Sequence, residues 1–235
     1  MQAGGVAAAA DPARLRTLCC LLDGRARTAA ELARAAGVTA VAQDAQLAAL
    51  LEQRLLRVAA TGRRRYYALR DAETAQRVRA LAGAVRQAPF VPRTPVPLRA
   101  ARTCYDHMAG TWAVALGARL LRMRWLRPPA TAGADCSVTP AGVTGLRGLD
   151  IDVGALRRGH RRLAYPCLDW SERRPHIGGA LGAALLCRFL QRGWVVRDTG
   201  SRALEVTRSG QQALRARFHV DPQGSRGGRD QFRRR

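Results

Sequence analysis

Lysine is absent from this chain. All 40 basic residues are arginine, set against 17 acidic ones, and the formal charge is +23 over 235 residues. With heavy use of alanine and glycine, this bias has the look of a GC-rich genome, so single arginines carry less weight than their total. No apolar run approaches the ~20 residues of a membrane span. The opening MQAGGVAAAADPAR has no positively charged start before its small-residue stretch, so no export signal is expected. The expected location is the cytoplasm, with no membrane partner. The six cysteines, at 19, 20, 104, 136, 167 and 187, are then expected as thiols rather than a disulfide framework. No two of them form Cys-x-x-Cys, which removes zinc ribbons. There is no phosphate loop. Tyr165-Pro-Cys167 lacks both the second cysteine and the preceding His-x-Glu of a zinc deaminase. What remains is a globular composition, 47% hydrophobic, long enough for two small domains. Its charge points to a polyanionic partner, and double-stranded DNA fits better than a membrane.

The chain is organised around Thr28 to Leu69. Thr28 is placed to cap a helix over Ala29 to Ala36, with Glu31 three residues on completing a capping box. Gly37 supplies the left-handed residue that ends a helix, and Thr39 caps a second helix running to about Gln53. Two helices joined by about three residues with a glycine make a helix-turn-helix. On the second, Leu47, Leu50, Leu51 and the neighbouring Leu55 recur at three- and four-residue steps. Thr39, Ala40, Gln43, Asp44 and Gln46 are read as the side that faces a major groove. Next, LLRVAA and RYYAL alternate about a Thr-Gly turn, giving a hairpin with Arg63, Arg64 and Arg65 at its tip. These arginines and Tyr67 are expected at phosphates or the minor groove.

Helices, turn, helix and basic hairpin in this order resemble the ArsR family of winged-helix repressors, over roughly Ala10 to Arg86. That resemblance implies a DNA-binding homodimer whose operator is released by an effector. The second helix departs from the family pattern. Gln46 stands where a His before Leu is usual, and Asp44 places a negative charge on the groove side, where it could accept from a cytosine amino group or repel phosphate. A winged helix used for protein contacts is the competing reading.

Residues 1–10 read as a flexible tail and 11–88 as the winged helix-turn-helix domain. The latter includes a first helix over Pro12 to Leu22 and a last one over Glu73 to Gln87. Adjacent Cys19 and Cys20 are read as core packing rather than a metal or redox pair. Pro89, Pro92, Pro95 and Pro97 make 89–98 a stiff, extended linker. Residues 99–221 form a second domain with an internal duplication: His107-Met-Ala-Gly110 recurs as His176-Ile-Gly-Gly179. At the same offset of 69, Leu116, Leu121 and Trp125 match Leu185, Leu190 and Trp194. With the offset changed by one, Thr139-Pro-Ala-Gly142 matches Thr207-Arg-Ser-Gly210. Each unit reads as a helix ending near a Trp, short strands, and a Thr-capped closing helix. The basic tail 222–235 has no apolar periodicity and is expected to be disordered. The fold class is therefore mainly α with short β-hairpins, an N-terminal winged helix-turn-helix followed by a duplicated, winged-helix-like domain.

Chemistry gathers in two stretches, Arg102-Thr-Cys104-Tyr-Asp106-His107 and Tyr165-Pro-Cys167-Leu-Asp169-Trp-Ser-Glu-Arg173-Arg174-Pro-His176. Cys104 and His107, three apart, would share a helical face. Cys167 and Asp169, two apart, would point the same way from an extended segment. A pseudo-twofold between the repeats would bring Cys104, His107, Cys167 and His176 into one metal site, with Asp169 as a ligand or behind one. The cysteines, however, do not obey the 69-residue offset. These stretches resemble the long effector domain of an ArsR-family subgroup; the Cys-x-Cys of arsenic- and lead-sensing members is missing.

Three readings stay open. A thiophilic divalent ion such as cadmium, lead or zinc is the effector. Alternatively Arg102, Arg173 and Arg174 bind a small anion, or the thiols answer an oxidant. Or the histidines, Asp169, Glu172 and the arginines form a purely structural network. A Cys-His nucleophilic pair is the remote enzymatic reading; the chain is expected not to be an enzyme.

Overall fold

The computed structural model describes residues 11–61, 63–82, 94–131 and 133–222. The chain divides into two compact units, Met1–Val91 and Pro92–Arg235. The expected tail at 1–10, all of the expected tail at 222–235 except Pro222, and residues 89–93 of the expected linker lie outside the described residues.

The first unit follows from its caps. Helix α1 (Pro12–Cys20) starts where Asp11 accepts from the Ala13 amide, with Pro12 in the first turn, where a missing N–H costs nothing. Helix α2 (Ala29–Ala36) has both bonds of the Thr28–Glu31 capping box and ends on Gly37 in the left-handed region, φ 70°. Helix α3 (Ala40–Glu52) is capped by Thr39, whose hydroxyl accepts from the Ala42 amide. Strands β1 (Leu56–Thr61) and β2 (Arg64–Leu69) pair antiparallel, Leu56 opposite Leu69 and Thr61 opposite Arg64. Arg27 adds a bridge: its amide and carbonyl both bond to Tyr67, at 2.8 and 2.7 Å. Helix α4 (Ala72–Ala82) closes the unit; the expected remainder to Gln87 is not described. Leu18, Cys19, Leu32, Leu47, Leu50, Tyr67 and Val78 share the core, so Cys19 packs as a small hydrophobe, its thiol pushed up by burial.

The second unit opens with a departure from expectation. Helix α5 (Val96–Ala100) takes up the end of the segment read as an extended linker, because Pro97 sits in a first helical turn, where proline is tolerated. Strands β3 (Arg102–Cys104) and β4 (His107–Ala109) form a hairpin, followed by α6 (Thr111–Arg122), a second hairpin of β5 (Leu126–Arg127) and β6 (Ser137–Val138), and α7 (Pro140–Arg147). After α8 (Val153–Arg158) the same succession returns: hairpin β7 (Tyr165–Leu168) and β8 (Pro175–Gly178), α9 (Gly179–Gln191), hairpin β9 (Val195–Arg197) and β10 (Leu204–Val206), and α10 (Arg208–Phe218).

Local geometry repeats with the elements. The Thr139 and Thr207 amides each donate at 3.0 Å to the carbonyl of Trp125 and Trp194, and each hydroxyl accepts from the amide of Gly142 or Gly210 at 3.0 Å. Those two glycines are required by close approach: a Cβ at Gly142 would stand 2.2 Å from the Trp125 carbonyl oxygen, and one at Gly210 would stand 1.9 Å from that of Trp194. Met108, Trp112, Leu116, Leu120, Leu181, Leu185 and Phe189 fill the core between α6, α9 and the hairpins. Among the described residues no helix is long and apolar enough to cross a membrane.

Candidate metal centre and nucleic-acid interface

The outward face of α3 differs from the one expected. Ala40, Val41, Asp44, Ala45 and Ala48 are exposed, Val41 by 82%. Gln43 is a correction: it is fully buried, and its Oε1 accepts from the Thr17 hydroxyl at 3.3 Å. It precedes Leu47 and Leu50 at helical spacing, so it lies on the core side whatever its polarity. Gln46 is half-buried and donates to Asp11 Oδ2 at 3.0 Å, which holds it against the α1 cap. Thr39 is exposed, with its hydroxyl engaged as a cap. On the wing, Arg63, Arg64 and Arg65 are exposed, whereas Tyr67 is corrected to a core residue, 6% exposed, with the Arg65 guanidinium 5.8 Å from its ring centroid.

In the second unit, Cys104 and His107 are not on a helix. They are cross-strand partners in the β3–β4 hairpin, joined by Tyr105 and Asp106, with Tyr105 left-handed at φ 56°. A spacing of three brings residues together across a two-residue turn as readily as along a helix. Cys167 and His176 are likewise cross-strand partners in β7–β8. The separation from Cys to His is six residues longer in this second hairpin, which is why the histidines keep the 69-residue offset and the cysteines do not.

The two hairpins present all four side chains to one point. The ligand atoms of Cys104, His107, Cys167 and His176 all lie within 4.8 Å of one another. His107 Nε2 and His176 Nε2 are 3.2 Å apart, with the rings inclined at 40°. Two nitrogens at ~2.0–2.1 Å on a tetrahedral ion would be about 3.3–3.4 Å apart, so this edge already has the right length. Both histidines are buried and both cysteines are half-buried.

A carboxylate stands behind each imidazole. Asp106 Oδ1 is 3.3 Å from His107 Nδ1, and Asp169 Oδ2 is 3.4 Å from His176 Nδ1, an ion-pair distance without a well-formed hydrogen bond. Carboxylates in this position set the tautomer that leaves Nε2 free to ligate. Asp106 was not foreseen as a functional residue; its signal is the Asp-His dipeptide itself. Asp169, expected as a ligand or as a backing group, is the latter, because other donors occupy its oxygens. Oδ1 accepts from Arg102 Nη2 (2.9 Å), the Ser171 amide and hydroxyl (2.9 and 2.7 Å) and the Glu172 amide (3.0 Å), and Oδ2 accepts from the Gly110 amide (2.6 Å). Burial alone would raise its pKa; His176, Arg102 and the amides outweigh that and hold it well below the usual carboxylate range.

The thiols are unequal. Cys104 drops to about 3, because Cys167 and then the two histidines hydrogen-bond to its sulfur. Cys167 is pushed up, first by its bond to the Cys104 sulfur and then by burial. For His176, burial pulls downward, but Asp169 and Cys104 prevail and raise it.

Arg102 is corrected as an effector-binding residue. It is 1% exposed and donates to Asp169, to the Ser171 hydroxyl (2.9 Å) and to the Leu98 carbonyl (3.1 Å), with its guanidinium 4.2 Å over the Trp170 ring. Arg173 and Arg174 belong to the β7–β8 connection, where the Arg173 amide donates to the Asp169 carbonyl and the Arg174 carbonyl accepts from the Asp169 amide. The apolar cavity lined by Met108, Leu116, Ile177, Leu185 and Phe189 holds about 20 Å³. That is room for one water rather than an organic effector.

Two sulfurs and two imidazoles around one point suit a tetrahedral, borderline-soft divalent ion, whose charge two thiolates would neutralise. Four protein donors leave no open coordination position, unlike a hydrolytic zinc site.

No protein-family profile matches the chain. The uncharacterized HTH-type transcriptional regulator YdfF of Bacillus subtilis (strain 168) is 36% identical over 214 residues, 89% of this chain and 93% of that protein. Two solved structures are similar over about a third of the chain. The cadmium metal-sensor CMTR of Mycobacterium tuberculosis is 30% identical, covering 38% of this chain and 96% of that one, with a TM-score of 0.29. The homodimeric winged helix-turn-helix DNA-binding domain of Mb0332 from Mycobacterium bovis, a possible ArsR-family regulator, is 27% identical, covering 33% and 70%, with a TM-score of 0.31. The likeness to YdfF runs through both units, and the first unit folds as a helix-turn-helix with a basic wing; the chain belongs to the family of HTH-type transcriptional regulators.

Proposed function

We propose that the protein is an ArsR-type repressor, acting in the cytoplasm as a homodimer on a roughly palindromic operator, with a thiophilic divalent metal ion as its effector. The observation that carries this reading is the convergence of Cys104, His107, Cys167 and His176, supplied by two hairpins from two similarly ordered and, we infer, duplicated halves. Zinc and cadmium suit the mixed sulfur and nitrogen set; lead is the third candidate ion. Dimerisation follows from reach, since one short helix reads too few bases for useful specificity. Bound metal would tie the β3–β4 hairpin to β7–β8. It acts on the operator only by binding the DNA-competent and incompetent states with different affinity. Within this reading Arg63, Arg64 and Arg65 contact phosphate and the exposed side of α3 faces the groove.

The test is metal analysis of protein purified without a metal-affinity tag, followed by titration of stripped protein with zinc and cadmium. Thiolate ultraviolet absorption is followed together with binding to the duplex upstream of the protein's own gene. One equivalent of metal per chain, a thiolate band and release of the duplex are expected. Duplex binding that ignores the metal would sink the effector assignment. A second reading draws on the same sulfurs, which are hydrogen-bonded to one another and half-exposed. A peroxide would oxidise Cys104 and Cys167 to a disulfide, taking two electrons and two protons and leaving as two waters. A diagonal gel after peroxide treatment separates it from the first.

A further inference from the structure

The exposed side of α3 has an unusual inventory for a helix that reads bases. Along the stripe Ala40, Val41, Asp44, Ala45 and Ala48 there is no hydrogen-bond donor and one acceptor, the Asp44 carboxylate. The helix contains no basic residue, and its two glutamines are withdrawn, Gln43 into the core and Gln46 onto Asp11. The Asp44 carboxylate makes no hydrogen bond or ion pair with any of the described residues.

We infer that Asp44 is a specificity-determining residue that selects a cytosine in each operator half-site. The inference rests on the reading above that α3 enters the major groove, which family membership and the arginines beside it on the wing support. A carboxylate brought among phosphates is repelled unless it accepts a hydrogen bond from a base edge. Guanine offers N7 and O6, both acceptors, and thymine offers O4 and a methyl group. Adenine sets its N7 acceptor beside the N6 donor, so a carboxylate meets one attraction and one repulsion. The cytosine amino group is a donor with no competing acceptor at that edge, and it is the partner that suits an acid. Val41 and Ala45, on either side of Asp44, offer only apolar surface, which fits the thymine methyl group. The readout at Asp44 is therefore a cytosine, set by exclusion as much as by attraction.

The experiment is selection from a random duplex pool with the full-length protein, run on zinc-loaded and on chelator-treated samples, for the natural chain, Asp44→Ala and Asp44→Asn. Because Asp44 is exposed, the variants are expected to melt with the natural chain; circular dichroism checks this. The natural chain should enrich a two-fold motif with one fixed C·G pair per half-site, preferred by about 5- to 150-fold over other pairs. Asp44→Ala should leave that one position degenerate, and Asp44→Asn should move it to adenine, whose N6 and N7 an amide can bond together. A motif unchanged in both variants would overturn the assignment of Asp44 while leaving the regulator reading in place. No motif from the natural chain in either sample would remove both.

Discussion

His107 Nε2 and His176 Nε2 face each other across 3.2 Å, carried by hairpins 69 residues apart. Each ring turns its other nitrogen toward a carboxylate, Asp106 in one case and Asp169 in the other. Two imidazoles so placed need a shared proton or a shared cation between them, and the two sulfurs beside them supply the negative charge a cation requires.

Replacing Cys104 or Cys167 by serine should weaken the thiolate band on titration with cadmium, and replacing both should abolish it. Zinc affinity should fall further than the roughly 10- to 100-fold typical of losing a group behind a ligand. Competition against a chromophoric chelator measures it. Retained affinity in both single variants would mean that the sulfurs are not ligands.

Asp106→Asn tests the backing carboxylate separately, because Asp106 is 44% exposed and its loss leaves the core intact. Zinc affinity should drop about 10- to 100-fold with an unchanged melting temperature. Its other partner, Arg161, is itself exposed, so breaking that ion pair adds little to the effect.

Asp169→Asn should weaken zinc binding and destabilise the fold as well. Arg102 would remain buried without its counter-charge, a loss of about 3–5 kcal/mol, read as a lower midpoint in denaturant for the second unit. An unchanged midpoint would show that the Arg102–Asp169 pair contributes little to the fold.

On the wing, changing Arg63, Arg64 and Arg65 together to alanine should weaken binding to every duplex alike. The slope of log affinity against log salt should flatten by up to roughly 3. If affinity and slope both hold, the hairpin tip does not touch phosphate.

Gly210→Ala places a methyl group 1.9 Å from the Trp194 carbonyl oxygen. At least about 1–3 kcal/mol of stability should be lost as α10 is pushed from β9. Gly142→Ala should repeat the effect at Trp125; thermal melts of the two variants compare them.

Much of this architecture could be read from short-range pattern. Thr28, Glu31, Gly37 and Thr39 are local signals for local geometry, and both helices of the helix-turn-helix fall where those residues place them. The difficulty begins where one spacing serves two structures. Cys104 and His107 stand three apart, which suits a helix face and a tight hairpin equally, and only pairing within the tertiary fold decides between them. Gln43 shows a different failure: its position relative to Leu47 and Leu50 marks it as interior, but a polar side chain suggests the exterior, and periodicity prevails. Arg102 could be understood only from its partner, since a buried arginine and an anion-binding one look alike until Asp169, 67 residues on, is seen beside it. The four metal-binding candidates were nevertheless identifiable before the hairpins were known, because sulfur and imidazole in two matching stretches are rare enough to stand out.

The Arg102–Asp169 pair and the Gly110 amide bond to Asp169 join the β3–β4 hairpin to the β7–β8 hairpin through protein contacts alone. Closing a flexible loop of 67 residues has an entropic cost of roughly 4 kcal/mol. Here the protein's own contacts offset that cost. A metal bound as proposed above would meet two hairpins that the protein's own contacts hold together. Under the proposed function, the second unit would then answer metal by stiffening at one joint and not by folding.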